Sequence, residues 1–517
     1  MTTRKDIENV LWRGADTFRD TIDAANYKDF VLSILFVKYL SDTHTELLEE
    51  LKSNYDDDVR LERQLKRLPV VMDDEHKFDY LYKNKNSDDL GQLINACLRG
   101  IEDKNFEQLN GVFRSIDFNS ESLLGNKAHR NAILRELLDD FVNLDLRPSQ
   151  IETNPGQIPA DVIGDAYEYM IGEFASRAGK KAGSFFTPTA VSELMARLVE
   201  PKPNDRIYDP TCGSGSLLIH AAKRSGKEMD KVQIYGQELN GSSLSMAKMN
   251  MYLHRILDAK IAWGDTLANP LHLDENGNLM LFDVIVANMP FSKDKWASGF
   301  NPGGENAGNG KKFKMEANLD KYHRFDWGVP PASKGDWAFL LHMIHSMSER
   351  GRIAAVAPHG VLFRGSSEGR IRKQVIKNNL LDAVIGLPSN LFFGTSIPAC
   401  IMVFKKNRDR NDVIFIDASG EEHYEKAKNK NTLKEKHIEE IVKAYLDRND
   451  IPKFAHVATL EEIKENDYNL NIPRYVDTFE QEDFIDIEAV QKNIKEINTE
   501  LEEVQKKMDE YFKGLGL

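Results

Sequence analysis

Between Arg206 and Lys406 the sequence carries seven short apolar runs separated by turns and helix-like stretches: RIYDP, VQIYGQEL, KIAWGD, FDVIVANMP, RIAAVAP, LLDAVIGLP and PACIMVFKK. Few folds are open to a chain written this way. Strands that alternate with helices are joined by crossovers, and crossovers produce a mainly parallel sheet with helices on both faces. The fold class is therefore α/β over roughly residues 151–475. Such sheets bind ligands at the carboxyl ends of their strands. The residues that terminate each run are where chemistry is expected.

Both flanks read differently. Up to about residue 150 the pattern is helical, with Phe30, Ile34 and Val37 recurring among polar positions and NAILRELLDDFVNLDL closing the region. One helix is expected to start after Asn26-Tyr27. The three prolines of RPSQIETNPGQIPADV mark a boundary at 150/151. After residue 476 a tail repeats Ile487, Val490, Ile494, Ile497, Leu501, Val504, Met508 and Tyr511 at alternating spacings of three and four. That is a heptad seam, and one helix cannot bury it alone. Between Ser292 and Gly335 lies a long polar insertion whose position after FDVIVANMP argues for function, with Lys311, Lys312 and Lys314 available for phosphate contact.

Composition narrows the class of activity. A net charge of −14 is unfavourable for a chain that must carry most of its own phosphate contacts. The three cysteines, Cys97, Cys212 and Cys400, have no metal-ligand spacing and read as free thiols of a reducing cytoplasm. No apolar run is long enough to span a membrane, and MTTRKDIENV lacks the apolar core of a signal peptide.

Four strand ends carry ligand-compatible groups. YDPTCGSGSLLIHAA ends a strand at Asp209, bends through Gly213, Ser214 and Gly215, and starts a helix near Ser216. Glycines there let the backbone approach a ligand closely. The third glycine of a dinucleotide fingerprint is missing, because Leu218 occupies its place. Glu238 ends the next strand, where a carboxylate can accept from two ribose hydroxyls. Asp265 ends the third and either accepts from an adenine amino group or caps a helix. The fourth ends in Asn288-Met289-Pro290-Phe291. The Asn288 amide oxygen and the Met289 carbonyl can accept both hydrogens of an exocyclic amine, and Phe291 can stack on the ring that bears it.

In this order DPTCGSGS, GQEL, GDTL and NMPF resemble the amino-methyltransferases that use S-adenosylmethionine. DVIGDAYEYMIGEFASRAGKKAGSFFTPTAVSELMARLVEP, GDWAFLLHMI, GRIAAVAPHGVLFRG and NIPRYVD resemble the modification subunit of type I restriction-modification systems, nearly end to end. The resemblance implies a Rossmann-like methyltransferase sheet at 151–475, an all-helical N-terminal domain at 1–150 and a helical assembly tail at 476–517. It implies that Ser184, Phe185, Phe186, Thr187, Pro188 and Thr189 hold the methionine part of the cofactor together with Ser214, Gly215 and Ser216, and that Glu238 takes the ribose. The family usually has Pro-Pro inside the tetrapeptide; here Met289 replaces the first proline, while its carbonyl remains.

The implied reaction methylates N6 of an adenine swung out of double-stranded DNA, without a metal. The implied partners are a specificity subunit that reads the sequence, a second copy of this chain, and restriction subunits that translocate and cleave with ATP. Methylation of RNA guanine or protein glutamine is an alternative, since those substrates also present a planar amine. So is a non-catalytic assembly role.

Overall fold

The computed structural model describes residues 1–19, 21–55, 58–65, 68–178, 186–301, 313–393, 395–426, 430–478 and 487–514. Residues 1–476 form one compact unit and residues 477–517 a second. The N-terminal region is helical as expected. Its first helix, Arg4–Phe18, is started by a capping box in which Thr3 and Asp6 satisfy each other's backbone N–H groups. The long helix Ala24–Asn54 begins at Ala24, ahead of the Asn26-Tyr27 start read from the sequence, with Asp23 as its extended N-cap residue. From Tyr27 to Leu40 it is buried almost all round, which explains its weak periodicity. The helices Leu90–Lys104, Lys127–Phe141 and Pro159–Arg177 complete this core. It continues without a break into Met246, Met249, Tyr252 and Leu253 of the helix Gly241–Leu253, which covers the sheet. The proline-rich stretch is itself packed: Ile151 bridges to Thr2, and Pro159 opens a helix at the position where its missing N–H costs nothing.

The strands are β1 (Arg206–Asp209), β2 (Gln233–Glu238), β3 (Lys260–Trp263), β4 (Phe282–Asn288), β5 (Met347–Pro358), β6 (Leu381–Gly386), β7 (Ala399–Lys405), β8 (Val413–Asp417), β9 (Glu425–Lys426), β10 (Asn431–Thr432) and β11 (Ala455–Ala458). Nine form one sheet in the order β11-β8-β6-β7-β5-β4-β1-β2-β3, and β9 with β10 makes a separate ribbon. All seven expected runs are strands; β8 to β11 are additions that the sequence reading did not contain. The pairs β1–β2, β1–β4, β2–β3, β4–β5 and β6–β8 are parallel, while β7 runs antiparallel between β5 and β6. Apolar clusters cover both faces, so β4 and β6 read as unbroken apolar runs rather than as alternation.

The order reverses at β1. The chain leaves β1 toward β2 on one side and returns to β4 on the other, which opens a crevice at the carboxyl ends of these two strands. The bend after Asp209 and the tetrapeptide after Ala287 are thereby neighbours.

The insertion after β4 is not a bare loop. Trp296, Phe300 and Phe325 pack ring against ring on the sheet's core, and Arg324 is fully buried. Lys314 is described and exposed, whereas Lys311 and Lys312 lie outside the described residues. In the second unit, Ile487–Gly514 is a single helix. Ile494, Ile497, Leu501, Val504, Met508 and Tyr511 along its seam are 50–73% exposed.

Candidate active site

The bend after β1 is held from three directions. Cys212 N–H donates to the Gln237 carbonyl of β2 (3.2 Å), Thr266 Oγ1 donates to the Pro210 carbonyl (2.6 Å), and Asn250 Nδ2 donates to the Ser214 carbonyl (3.0 Å). Gly213 and Gly215 sit at φ of +54° and +82°, a region that disfavours any side chain. A Cβ on Gly215 would also come within 2.8 Å of the Met251 methyl. The glycines are thus required by backbone conformation and, at Gly215, by the helix beneath.

Phe186, Thr187, Asp209, Thr211, Cys212, Gly213, Ser214, Ser216, Leu217 and Asn288 line one pocket at this crevice. Of the residues expected to act, it brings together Phe186, Thr187, Asp209, Gly213, Ser214, Ser216 and Asn288. Pro188 caps the helix Thr189–Val199, and Thr189 is its exposed first residue. Ser184 and Phe185 lie outside the described residues. Glu238 stands behind the bend: Oε2 accepts from Gly213 N–H (2.9 Å) and Oε1 from Asn240 N–H (2.7 Å). Asp265 takes the turn-capping role, with Oδ1 accepting from Leu267 and Ala268 N–H at 2.9 and 3.2 Å.

Charge at the pocket is unbalanced. Asp209 is 1% exposed; Oδ1 accepts from Thr211 N–H at 2.8 Å, while Oδ2 has no partner among the described residues. Burial, with the Glu238 charge adding to it, pushes the Asp209 carboxyl up to about 8. Burial also raises Glu238 and Cys212. Among the described residues no cation lines this pocket, and a ligand's positive group would supply the missing partner.

Asn288 Nδ2 donates to Thr187 Oγ1 at 3.0 Å, which joins the tetrapeptide to the Phe-Thr-Pro segment. Its Oδ1 accepts no hydrogen bond among the described residues. Met289 is 1% exposed and belongs to the sheet's core, so its side chain is an anchor. Phe291 is half-buried with Phe392 edge-on at 6.0 Å, and Phe393 lies 5.8 Å from Phe186. Sequence reasoning passed over Phe392 and Phe393, whose signal was an aromatic pair six and seven residues past the end of β6 with no periodicity to place it.

Two buried networks carry this geometry. The Ser216 hydroxyl donates to Glu168, so it is committed to the helix Pro159–Arg177. His220 lies 3.5 Å from Glu168 and 3.7 Å from Glu193. Burial alone would lower His220, but the two carboxylates raise it to about 9. On the other side Arg324 pairs with Asp320 (2.7 Å) and donates to the carbonyls of Thr266 (3.3 Å) and Leu267 (2.6 Å). It also donates to His342 Nδ1 (3.0 Å), and His342 Nε2 donates to Tyr208 Oη (3.1 Å). Burial and the Arg324 charge hold His342 neutral, well below its usual range. The insertion is thereby bolted to the loop after β3 and, through His342, to Tyr208 of β1.

Comparison with known proteins shows the family. Residues 159–484 match the family described as N-6 DNA Methylase, and residues 7–141 match the HsdM N-terminal domain. The methylase subunit of the type I restriction enzyme MpnII from Mycoplasma pneumoniae is 32% identical over 99% of this chain and 96% of its own length. The MjaVIII methylase subunit from Methanocaldococcus jannaschii is 33% identical over 95% of this chain and 81% of its own. The crystal structure of a type I restriction-modification methyltransferase subunit from Streptococcus thermophilus superposes with a TM-score of 0.77, at 36% identity, over 92% of this chain and 100% of that one. The matches include the helical region as well as the sheet, which favours adenine in DNA over RNA guanine or protein glutamine. The chain belongs to the N-6 DNA methylase family and, within it, to the methylase subunits of type I restriction enzymes.

Proposed function

We propose that this subunit transfers the methyl group of S-adenosylmethionine to N6 of an adenine in double-stranded DNA, inside an assembly whose specificity subunit selects the sequence. The observation that carries the site assignment is the Asn288–Thr187 bond, which spends the amide's donor end on the protein and leaves its acceptor end for a target amine.

The pocket fits the cofactor by its chemistry. The unpartnered Asp209 Oδ2 suits the ammonium of the methionine part, the glycine bend suits close backbone approach, and Phe186, Thr187, Ser214 and Ser216 line the same space. Ser184, Phe185, Pro188, Thr189 and Gly215 complete this side in our reading. Glu238 retains lone pairs for ribose hydroxyls although each oxygen already accepts one backbone bond. Asp265 Oδ2 takes the adenine amino group. When bound, the cofactor supplies an electrophilic sulfonium methyl.

The protein's own part is orientation. Asn288 Oδ1 and the Met289 carbonyl accept the two N6 hydrogens of an extruded adenine, which turns the lone pair out of the ring's conjugation. Pro290 stiffens the loop and Phe291 stacks on the base. Fixed dipoles and alignment account for the acceleration, and no general base is needed before transfer because the proton leaves from the cationic product. We place the protein in the cytoplasm, with two copies per specificity subunit and with restriction subunits joining for ATP-dependent cleavage. We also propose the division into a helical domain at 1–150, a methyltransferase domain at 151–475 and an assembly tail at 476–517.

Transfer of labelled methyl from S-adenosylmethionine to unmodified DNA by the subunit complex tests the reading. Asn288→Ala should abolish transfer while cofactor affinity stays within about twofold. Gly213→Ala, which strains a left-handed position, should weaken the cofactor by at least about tenfold, near 1.4 kcal/mol. Calorimetry on both variants checks the split, and cofactor loss in Asn288→Ala would sink it.

A further inference from the structure

The segment that leaves the tetrapeptide is held by a side chain from another part of the chain. Ser292, directly after Phe291, has φ of +50°, a conformation disfavoured for any residue with a Cβ. Its N–H donates to Asp336 Oδ1 at 2.6 Å. Asp336 is the first residue of the helix Asp336–His345 and is completely buried. An acidic side chain in a helix's first turn ordinarily serves the N-terminal end of its own helix dipole. Instead Oδ1 takes the Ser292 N–H and Oδ2 takes Arg364 Nη2. Arg364 Nε in turn donates to Glu368 Oε2 at 2.6 Å, and Glu368 is also fully buried. The preceding residue seals the same junction: Gly335 N–H donates to the Lys293 carbonyl at 3.0 Å, and a Cβ on Gly335 would meet Trp296 Cβ at 2.9 Å.

We propose that Asp336 is a positioning residue for methyl transfer: its carboxylate, clamped by Arg364, fixes the Ser292 turn and so sets the Met289 carbonyl and the Phe291 ring against the target base. The inference rests on the reading of Asn288–Phe291 as the tetrapeptide that grips the target amine. It accounts for a tetrapeptide with Met289 in place of a proline. Pro290 constrains one residue of the loop, the buried Met289 side chain anchors another, and Asp336 restrains the exit. Neither Asp336 nor Ser292 belongs to the lining of the cofactor pocket. Loss of the carboxylate should therefore separate chemistry from cofactor binding.

The test uses the methylase–specificity complex. The modified sequence is first mapped on DNA methylated by the wild-type complex, and a duplex is then made with 2-aminopurine at the target adenine. Asp336→Ala should slow single-turnover methylation roughly 30- to 100-fold, the penalty of displacing a positioned group by about an ångström. S-adenosylmethionine affinity should stay within about twofold, and 2-aminopurine fluorescence should rise as stacking on Phe291 is lost. Asp336→Asn keeps an oxygen for the Ser292 N–H and should recover to within about fivefold of wild type. It also serves as the decisive variant if the alanine form does not fold. A wild-type rate in Asp336→Ala beside an inactive Asn288→Ala would overturn the inference and leave the tetrapeptide reading standing. Loss of cofactor affinity in parallel with rate in Asp336→Asn would overturn it as well, since that marks general disruption. Activity retained in Asn288→Ala would overturn both.

Discussion

Asp209 shows how much one side chain can report. Its carboxyl is buried, has one unpartnered oxygen and is held up at about 8. A cationic ligand group placed beside it would favour the ionised form. Binding at neutral pH should therefore release a proton, and affinity for S-adenosylmethionine should strengthen as pH rises toward 8 and level off above. Calorimetry in buffers of different ionisation enthalpy measures that proton, and Asp209→Asn should remove both the release and the pH slope. A cofactor affinity independent of pH between 6 and 8 would contradict the assignment. Asp209 was legible in the sequence as the end of a strand before a glycine bend. Asp336 was visible only as part of GDWAFLLHMI, without a role, because its partner Ser292 lies across the insertion and no local pattern joins them.

At the scale of elements the tail is the sharpest case. The helix Ile487–Gly514 forms as its heptad spacing predicted, and its seam from Ile494 to Tyr511 is exposed. Each large apolar side chain on it would gain roughly 1.5–3 kcal/mol from full burial, which makes a partner helix, in our reading one from the specificity subunit, the natural cover. A chain ending at Ile485 should melt within about 2–4 °C of the full-length protein, a difference of about 1 kcal/mol. It should bind cofactor normally and fail to co-purify with the specificity subunit. Full assembly of the truncated chain would show that the seam serves another purpose. The insertion behaves in the opposite way. Its composition is polar, yet Trp296, Phe300, Arg324 and Phe325 make it part of the core. A buried Arg–Asp pair with three residues between its partners cannot be told from a surface pair by spacing alone.

For the molecule as a whole, two buried groups set the response to alkali. His220 is raised to about 9 against an unfolded value near 6.5, so its contribution is complete below 6.5 and is lost as pH climbs through 9. Asp209, raised to about 8 from near 3.8, also binds more protons folded than unfolded and costs stability over that interval. The free protein should thus melt lower as pH rises from 6 to 9. Cofactor should offset the Asp209 part but not the His220 part, and His220→Gln should flatten what remains. Glu168 and Glu193, both drawn down to about 2, act at the other end, where stability is lost as pH falls below 4.5. Scanning calorimetry across pH 3–9 with and without cofactor checks each limb.

Strand periodicity, the glycine bend and the tetrapeptide were local patterns, and they were enough to determine the α/β class and seven of the strands and to mark four strand ends as candidate sites. Strands β8 to β11 were not among them: the ribbon of β9 and β10, two residues each, carries too little pattern to stand out from loops, and β8 and β11 lie beyond the last of the seven runs. Which of the strand ends meet in one pocket was decided by the reversal of strand order at β1. Which polar side chains are buried, and beside what, was decided by contacts between segments far apart in the chain: Asn288 with Thr187, Ser216 with Glu168, Arg324 with Thr266, and Asp336 with Ser292. Hydrogen bonds of this kind depend on distance and direction in space, and a sequence records only order.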